Sequence, residues 1–136
     1  SKLHGEENFN VMSYISSHDT KLFSQIAGND PALQRRAAAA LMLTPGAVQV
    51  FYGDESGRPF GATGSDPHQG TRSDMNWTAI ENGEVSDILE HWQKLGQFRE
   101  RHPAIGAGEH RLISQQPYVF SRTNGDDRVV IAFGKK

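Results

Sequence analysis

Pro45-Gly46-Ala47-Val48-Gln49-Val50-Phe51-Tyr52-Gly53-Asp54-Glu55 is the stretch that decides the fold. Its centre, Ala47 to Tyr52, is a nearly continuous apolar run between two glycines. That pattern predicts a strand buried on both faces of a parallel sheet. Upstream, Val11-Met12-Ser13-Tyr14-Ile15 is short and rich in strand-formers, and it predicts a first strand over about residues 10–16. Between the two, Gly28-Asn29-Asp30 breaks the chain, and Pro31 opens an alanine-rich helix, with Asn29 or Asp30 as its cap. The helix is expected to run to about Leu43, where Thr44-Pro45-Gly46 stops it. Strand, helix, strand makes a βαβ unit and an α/β fold class.

Downstream of Tyr52 the periodicity vanishes among glycines, prolines and aspartates from Gly53 to about Gly83. A loop that long is seldom kept without a function, so it is a candidate active-site loop. From about Glu84 to Arg101, Val85, Ile88, Leu89, Trp92, Leu95 and Phe98 share one helical face, Glu90 and Lys94 form a surface pair, and Pro103 ends the helix. Beyond Gly106 the pattern alternates: His110 to Ser114, Tyr118 to Arg122 and Arg128 to Phe133 predict strands, the last two joined around Asn124-Gly125. Residues 1–105 and 106–136 are therefore expected to form two units, the second antiparallel. Its sheet stops at Gly134-Lys135-Lys136 with too few strands to cover it, which predicts a truncated domain.

Composition narrows the function. Fourteen Lys and Arg against 16 Asp and Glu give a net charge of -2, which creates no basic field for nucleic acid or anionic membranes. No run approaches the ~20 apolar residues of a membrane span, and the first residues carry no signal-peptide core, so the chain reads as soluble. With no cysteine there is no disulfide, thiolate nucleophile or cysteine-based zinc site.

The candidate chemistry centres on His18-Asp19, just past the first strand, because active-site groups of βα barrels sit at the C-terminal ends of strands. Alone, the pair reads more readily as a histidine that caps a helix or bonds the backbone and an aspartate that starts the next turn. Asp54 and Glu55 are adjacent carboxylates at a strand end and so point to opposite faces, which favours a structural role over joint attack on one bond. Arg72 can reach a ligand from the loop, or brace the loop by pairing with Asp74 or Asp66. Tyr52 and Trp77 offer flat apolar faces to a ligand, but packing in the interior is the commoner use of such aromatics. His4, His68, His91, His102 and His110 lack metal-ligand spacing and read as surface residues.

Three ordered motifs, Val11 to Thr20 ending in His18-Asp19, Pro45 to Glu55, and Thr71-Arg72-Ser73-Asp74-Met75-Asn76-Trp77, resemble the last part of the α-amylase family of glycoside hydrolases. The similarity continues through Leu95-Gly96-Gln97-Phe98-Arg99-Glu100-Arg101-His102-Pro103, and Gly64-Ser65-Asp66-Pro67 looks closest to the periplasmic α-amylases of enteric bacteria. The resemblance implies the C-terminal part of a (β/α)8 barrel, strands seven and eight with their helices, followed by the start of an antiparallel β-sandwich. It implies a retaining hydrolase of α-1,4-glucosidic bonds in starch or maltodextrins, periplasmic or secreted. It makes Asp19 the carboxylate that stabilises the transition state, with His18 and Arg72 as substrate-binding residues. The family's nucleophile, general acid and calcium ligands would lie upstream of Ser1, so no cofactor or metal is expected within this chain, which is expected to be inactive alone. The competing reading is a non-catalytic carbohydrate-binding or interaction module. Open strand edges further predict self-association.

Overall fold

The computed structural model describes residues 11–134. β1 (Met12–Ser13) pairs in parallel with β2 (Ala47–Val48). The ladder is extended by Ala47 N–H donating to the Val11 carbonyl at 3.1 Å and Gln49 N–H to that of Ser13 at 2.9 Å. Between them lie α1 (Phe23–Ile26) and α2 (Pro31–Met42), so the expected βαβ unit is present. Both strands are far shorter than expected, and Asn10 lies outside the described residues. The expectation of a strand buried on both faces is also corrected, because Val50 and Tyr52 remain 41% and 42% exposed. Among the described residues β1 and β2 have only each other as ladder partners.

Asp30, rather than Asn29, caps α2: its Oδ1 accepts from Ala32 N–H at 2.9 Å and, more weakly, from Leu33 N–H at 3.4 Å. Asn29 instead takes the left-handed conformation, φ 60°, that reverses the chain before the helix. Ala38, Leu41 and Met42 of α2 meet Ile88 and Trp92 of α4 (Ser86–Arg101) to form the first core, with Ile15, Val48, Val85 and Leu95 around it. This is the apolar face expected of the second helix, and Glu90 and Lys94 pair on its outer side at 3.5 Å. Arg99 ties the layers by donating to the carbonyls of Met42 and Thr44, each at 2.8 Å, and to that of Gly46, satisfying acceptors that α2 leaves open at its end.

The long loop holds more order than its sequence predicts: a 3-10 turn over Gln69–Arg72 and a short helix, α3 (Trp77–Glu81). Pro103 does not simply end α4, because the chain turns there into α5 (Ala104–Ala107). β3 (Glu109–Gln115), β4 (Tyr118–Asn124) and β5 (Asp127–Phe133) then form an antiparallel sheet in the order β3-β4-β5. The hairpin expected around Asn124-Gly125 closes with Asn124 opposite Asp127 and Gly125 at φ 58°, a conformation glycine takes without strain. α5 lies on one face of this sheet, where Ile105, Phe120, Val129 and Ile131 make a second core joined by Leu43, Phe98 and Phe133. Arg122, buried beneath it, donates to the carbonyls of Ala104 and Ile105 at 3.2 and 3.1 Å.

Candidate functional site

Because β1 and β2 are parallel, the chain leaving each emerges at the same end of the unit. His18-Asp19 follows β1 there. The turn carrying them is built locally: Ser17 N–H donates to Thr20 Oγ1 at 3.1 Å, and Asp19 N–H to Ser17 Oγ at 3.2 Å. It is also met from a distance: the Thr71 hydroxyl lies 2.9 Å from the His18 carbonyl and 2.7 Å from that of His68, and shares its one proton between them. Thr71 is fully buried and belongs to the 3-10 turn of the long loop, so that loop supports the turn directly.

The side chains of His18, Asp19 and Arg72 meet in solvent. His18 Nε2 lies 3.0 Å from Asp19 Oδ2, and Arg72 Nη2 donates to Asp19 Oδ1 at 3.3 Å. Arg72 also reaches Asp66 Oδ2 at 3.4 Å, so it both braces the loop, through Asp66 rather than Asp74, and faces Asp19. Both oxygens of Asp19 thus have cationic or polar donors, yet its side chain stays 70% exposed. Such an arrangement can exchange donors with the hydroxyls of a sugar without a rearrangement of the backbone.

Asp54 and Glu55 are turned away from this cluster. Asp54 Oδ1 accepts from Ser16 Oγ at 2.5 Å, while Glu55 Oε2 accepts from Gly53 N–H at 2.9 Å. Burial pushes the Asp54 carboxyl up to about 6, offset in part by the Ser16 hydroxyl, and Glu55 beside it adds to the rise.

The group that sequence reasoning missed is Arg58. Its side chain is 1% exposed. Nε donates to the Tyr52 carbonyl at 3.1 Å, Nη1 to that of Ser73 at 2.9 Å and Nη2 to that of Thr71 at 2.8 Å. Its guanidinium also sits 3.9 Å from the centre of the Tyr52 ring. One buried cation thereby ties the end of the β2 segment to the loop that carries Thr71 and Arg72. Gly53 makes room for it: φ is +88°, and an added Cβ would collide with the Arg58 side chain. Nothing in the spacing of Arg58 marks it out.

The aromatic residues divide. Tyr52 is half-exposed, and its hydroxyl donates to the Ser73 carbonyl at 3.0 Å, so it is a loop anchor with one open side. Trp77 is 63% exposed, which corrects the expectation that it packs inside; as the first residue of a five-residue helix it has no layer to pack beneath.

No protein-family model matches the chain. Over 93% of its length it is 56% identical to the periplasmic alpha-amylase of Escherichia coli (strain K12), of which it covers 18%. Among solved structures, it superposes on the debranching enzyme of Nostoc punctiforme with a TM-score of 0.69 at 32% identity, covering 89% of this chain and 24% of that one. On the cyclic alpha-maltosyl-(1→6)-maltose hydrolase of Arthrobacter globiformis the TM-score is 0.74 at 27% identity, covering 89% and 26%. The chain corresponds to the C-terminal region of the α-amylase family. It spans about a fifth of the length of the first curated relatives it matches. The three-stranded sheet is consistent with the C-terminal β-domain of this family.

Other histidines of this α-amylase-family chain are less superficial than expected. His91 Nε2 lies 2.9 Å from the Arg35 carbonyl, and His102 Nδ1 lies 2.7 Å from Asp127 Oδ1; both side chains are half-buried, as is that of His68. His4 lies outside the described residues. Among the described residues no three His, Cys, Asp or Glu side chains gather to hold a metal. A cleft of about 660 Å³ between the end of α2 and the sheet, lined in part by Leu43, Tyr118 and Phe120, lies apart from His18-Asp19.

Proposed function

We propose that this chain is the sugar-holding C-terminal portion of an α-amylase-type retaining hydrolase acting on α-1,4-linked glucose polymers. In this reading β1 and β2 are strands seven and eight of the barrel, and the three-stranded sheet opens the β-sandwich. Asp19 accepts hydrogen bonds from the sugar hydroxyls in the cleavage subsite, His18 donates to the same sugar, and Arg72 orients Asp19 and borders the ligand. The observation that carries this is the meeting of His18, Asp19 and Arg72, exposed, at one end of a parallel strand pair.

A carboxylate in that position accelerates the reaction only through contacts that strengthen as charge develops on the ring. It does not replace the nucleophile and acid, which must stand ~5–5.5 Å apart across the bond. Asp54 is half-buried against Ser16 and Glu55 is turned onto Gly53, so neither joins Asp19 as such a pair. The chain alone therefore binds sugar without cleaving it. The identity to a periplasmic relative supports a periplasmic location.

Maltoheptaose titration followed by amide chemical shifts, with a reducing-sugar assay alongside, tests this reading. Shifts should map to His18, Asp19 and Arg72, vanish in Asp19→Asn, and occur without turnover. Turnover above background that a mutation in the chain abolishes, or shifts confined to another face, would overturn it. The exposed Val11, Met12, Val50 and Tyr52 around β1 and β2, whose outer edges have no strand partner among the described residues, further support self-association. Light scattering coupled to size exclusion should show a mass that rises with concentration; a sharp, concentration-independent monomer would refute that part.

A further inference from the structure

Arg72 has two kinds of acceptor. Asp66 Oδ2 at 3.4 Å and the His68 carbonyl at 3.5 Å lie within six residues of it, so the loop supplies them wherever it sits. Asp19 Oδ1, at 3.3 Å, is 53 residues away and meets the guanidinium only while the loop is docked beside the turn after β1. What brings Arg72 to Asp19 is therefore whatever fixes the backbone on either side of Arg72.

That backbone is gripped by Arg58. Its Nη2 donates to the Thr71 carbonyl at 2.8 Å and its Nη1 to the Ser73 carbonyl at 2.9 Å, the residues immediately before and after Arg72. Nη1 also donates to the Ser73 hydroxyl, which itself donates to the Pro59 carbonyl at 3.0 Å. Nε donates to the Tyr52 carbonyl at 3.1 Å, so the other end of the grip is the chain leaving β2. A planar guanidinium presents its N–H groups in a fixed fork, which holds the three carbonyls in one relative position, as a single ammonium cannot. The Tyr52 hydroxyl reinforces the same segment by donating to the Ser73 carbonyl at 3.0 Å. Arg58 itself is 1% exposed, so it acts on a ligand only through the residues it holds.

We propose that Arg58 is a positioning residue for sugar binding: buried beneath the site, it fixes Thr71 and Ser73 so that Arg72 faces Asp19. Without it, Arg72 falls back on Asp66 and the His68 carbonyl, and Asp19 keeps only His18 as its side-chain partner. The consequence for sugar binding rests on the function proposed above; the placement of Arg72 does not.

The test uses the whole chain. With Arg58 in place, Asp19→Asn and Asp66→Asn should each shift the nitrogen resonances of the Arg72 guanidinium. In Arg58→Ala the response to Asp19→Asn should be lost while that to Asp66→Asn remains, and the dissociation constant for maltoheptaose should rise about tenfold. Free guanidinium, which fits the space the side chain vacates, should restore both the response and the affinity, and sodium chloride at the same ionic strength should restore neither. A response to Asp19→Asn that survives in Arg58→Ala, or that guanidinium fails to bring back, would overturn the proposal. Loss of the Asp66 response as well would mean that the loop has melted rather than moved, and would also overturn it. Should the alanine variant not fold, Arg58→Lys decides, because an Arg72 response and a maltoheptaose affinity equal to those of the unmutated chain would show that the fork is not needed. If Arg72 behaves as described but the unmutated chain does not bind maltoheptaose, the proposed function fails while the placement of Arg72 stands. If the unmutated chain binds and Arg58→Ala binds as tightly, the function stands and this inference fails.

Discussion

Asp54 and Asp127 are both half-buried aspartates that link distant segments, yet their environments drive them in opposite directions. In the loop region, burial raises the Asp54 carboxyl, and one of its oxygens has no donor among the described residues. In the sheet region, Asp127 is held below its ordinary value, first by the hydrogen bond from His102 and then by that from Ala104 N–H at 2.9 Å. The difference extends to the units around them. The segment from β1 to the long loop has two-residue strands and is clasped by buried polar groups, Arg58, Thr71, Ser16 and Ser56. The segment from α5 to β5 has three seven-residue strands and supplies the buried residues of the second core, which Leu43 and Phe98 join from outside it. A hairpin sheet finds its partners nearby in the sequence, whereas a parallel pair needs neighbours from far along the chain.

The sharpest way to break this contrast is to empty the second core. Phe120→Ala removes a side chain that is 3% exposed and should cost about 3–5 kcal/mol in urea unfolding. Val50→Ala, on the exposed part of the parallel segment, should cost well under half of that. Equal losses would mean that the two regions share one core.

Removing the polar clasp comes next. Arg58→Met keeps the bulk but leaves the carbonyls of Tyr52, Thr71 and Ser73 without their donor. The expected loss is about 3 kcal/mol of local stability, read as faster exchange of the Gly61 amide, which bonds to the Gly70 carbonyl, with the β4 amides little changed. Uniform acceleration everywhere would show that the loop and sheet open together.

Acid should separate the two aspartates. Asp127 is depressed, so its clamp is present above the ordinary 3.8 and is lost as pH falls through the lower folded value. His102→Gln should raise the pH at which the sheet region unfolds in acid, followed by near-ultraviolet circular dichroism. An unchanged acid midpoint would remove His102 from the account. The smallest effect belongs to the exposed Glu90–Lys94 pair, where Glu90→Ala should cost about 0.3–0.5 kcal/mol and less at high salt.

Local signals in the sequence were sufficient for the helices and the hairpin. Asp30 and Pro31 start α2, the apolar stripe from Val85 to Phe98 builds α4, and Asn124-Gly125 turns β4 into β5, because each rests on contacts a few residues apart. His18-Asp19 was legible for a similar reason, as a pair following a strand within an ordered set of motifs. Only tertiary structure decided how far β1 and β2 extend, since the ladder depends on partners that a strand cannot carry within itself. It also decided that Arg72 joins Asp19 across 53 positions, that Trp77 stays in solvent, and that Arg58, Ser16 and Thr71 hold the turn in place. Buried polar groups find their partners through space, and no periodicity along the chain records where a carbonyl will need a donor.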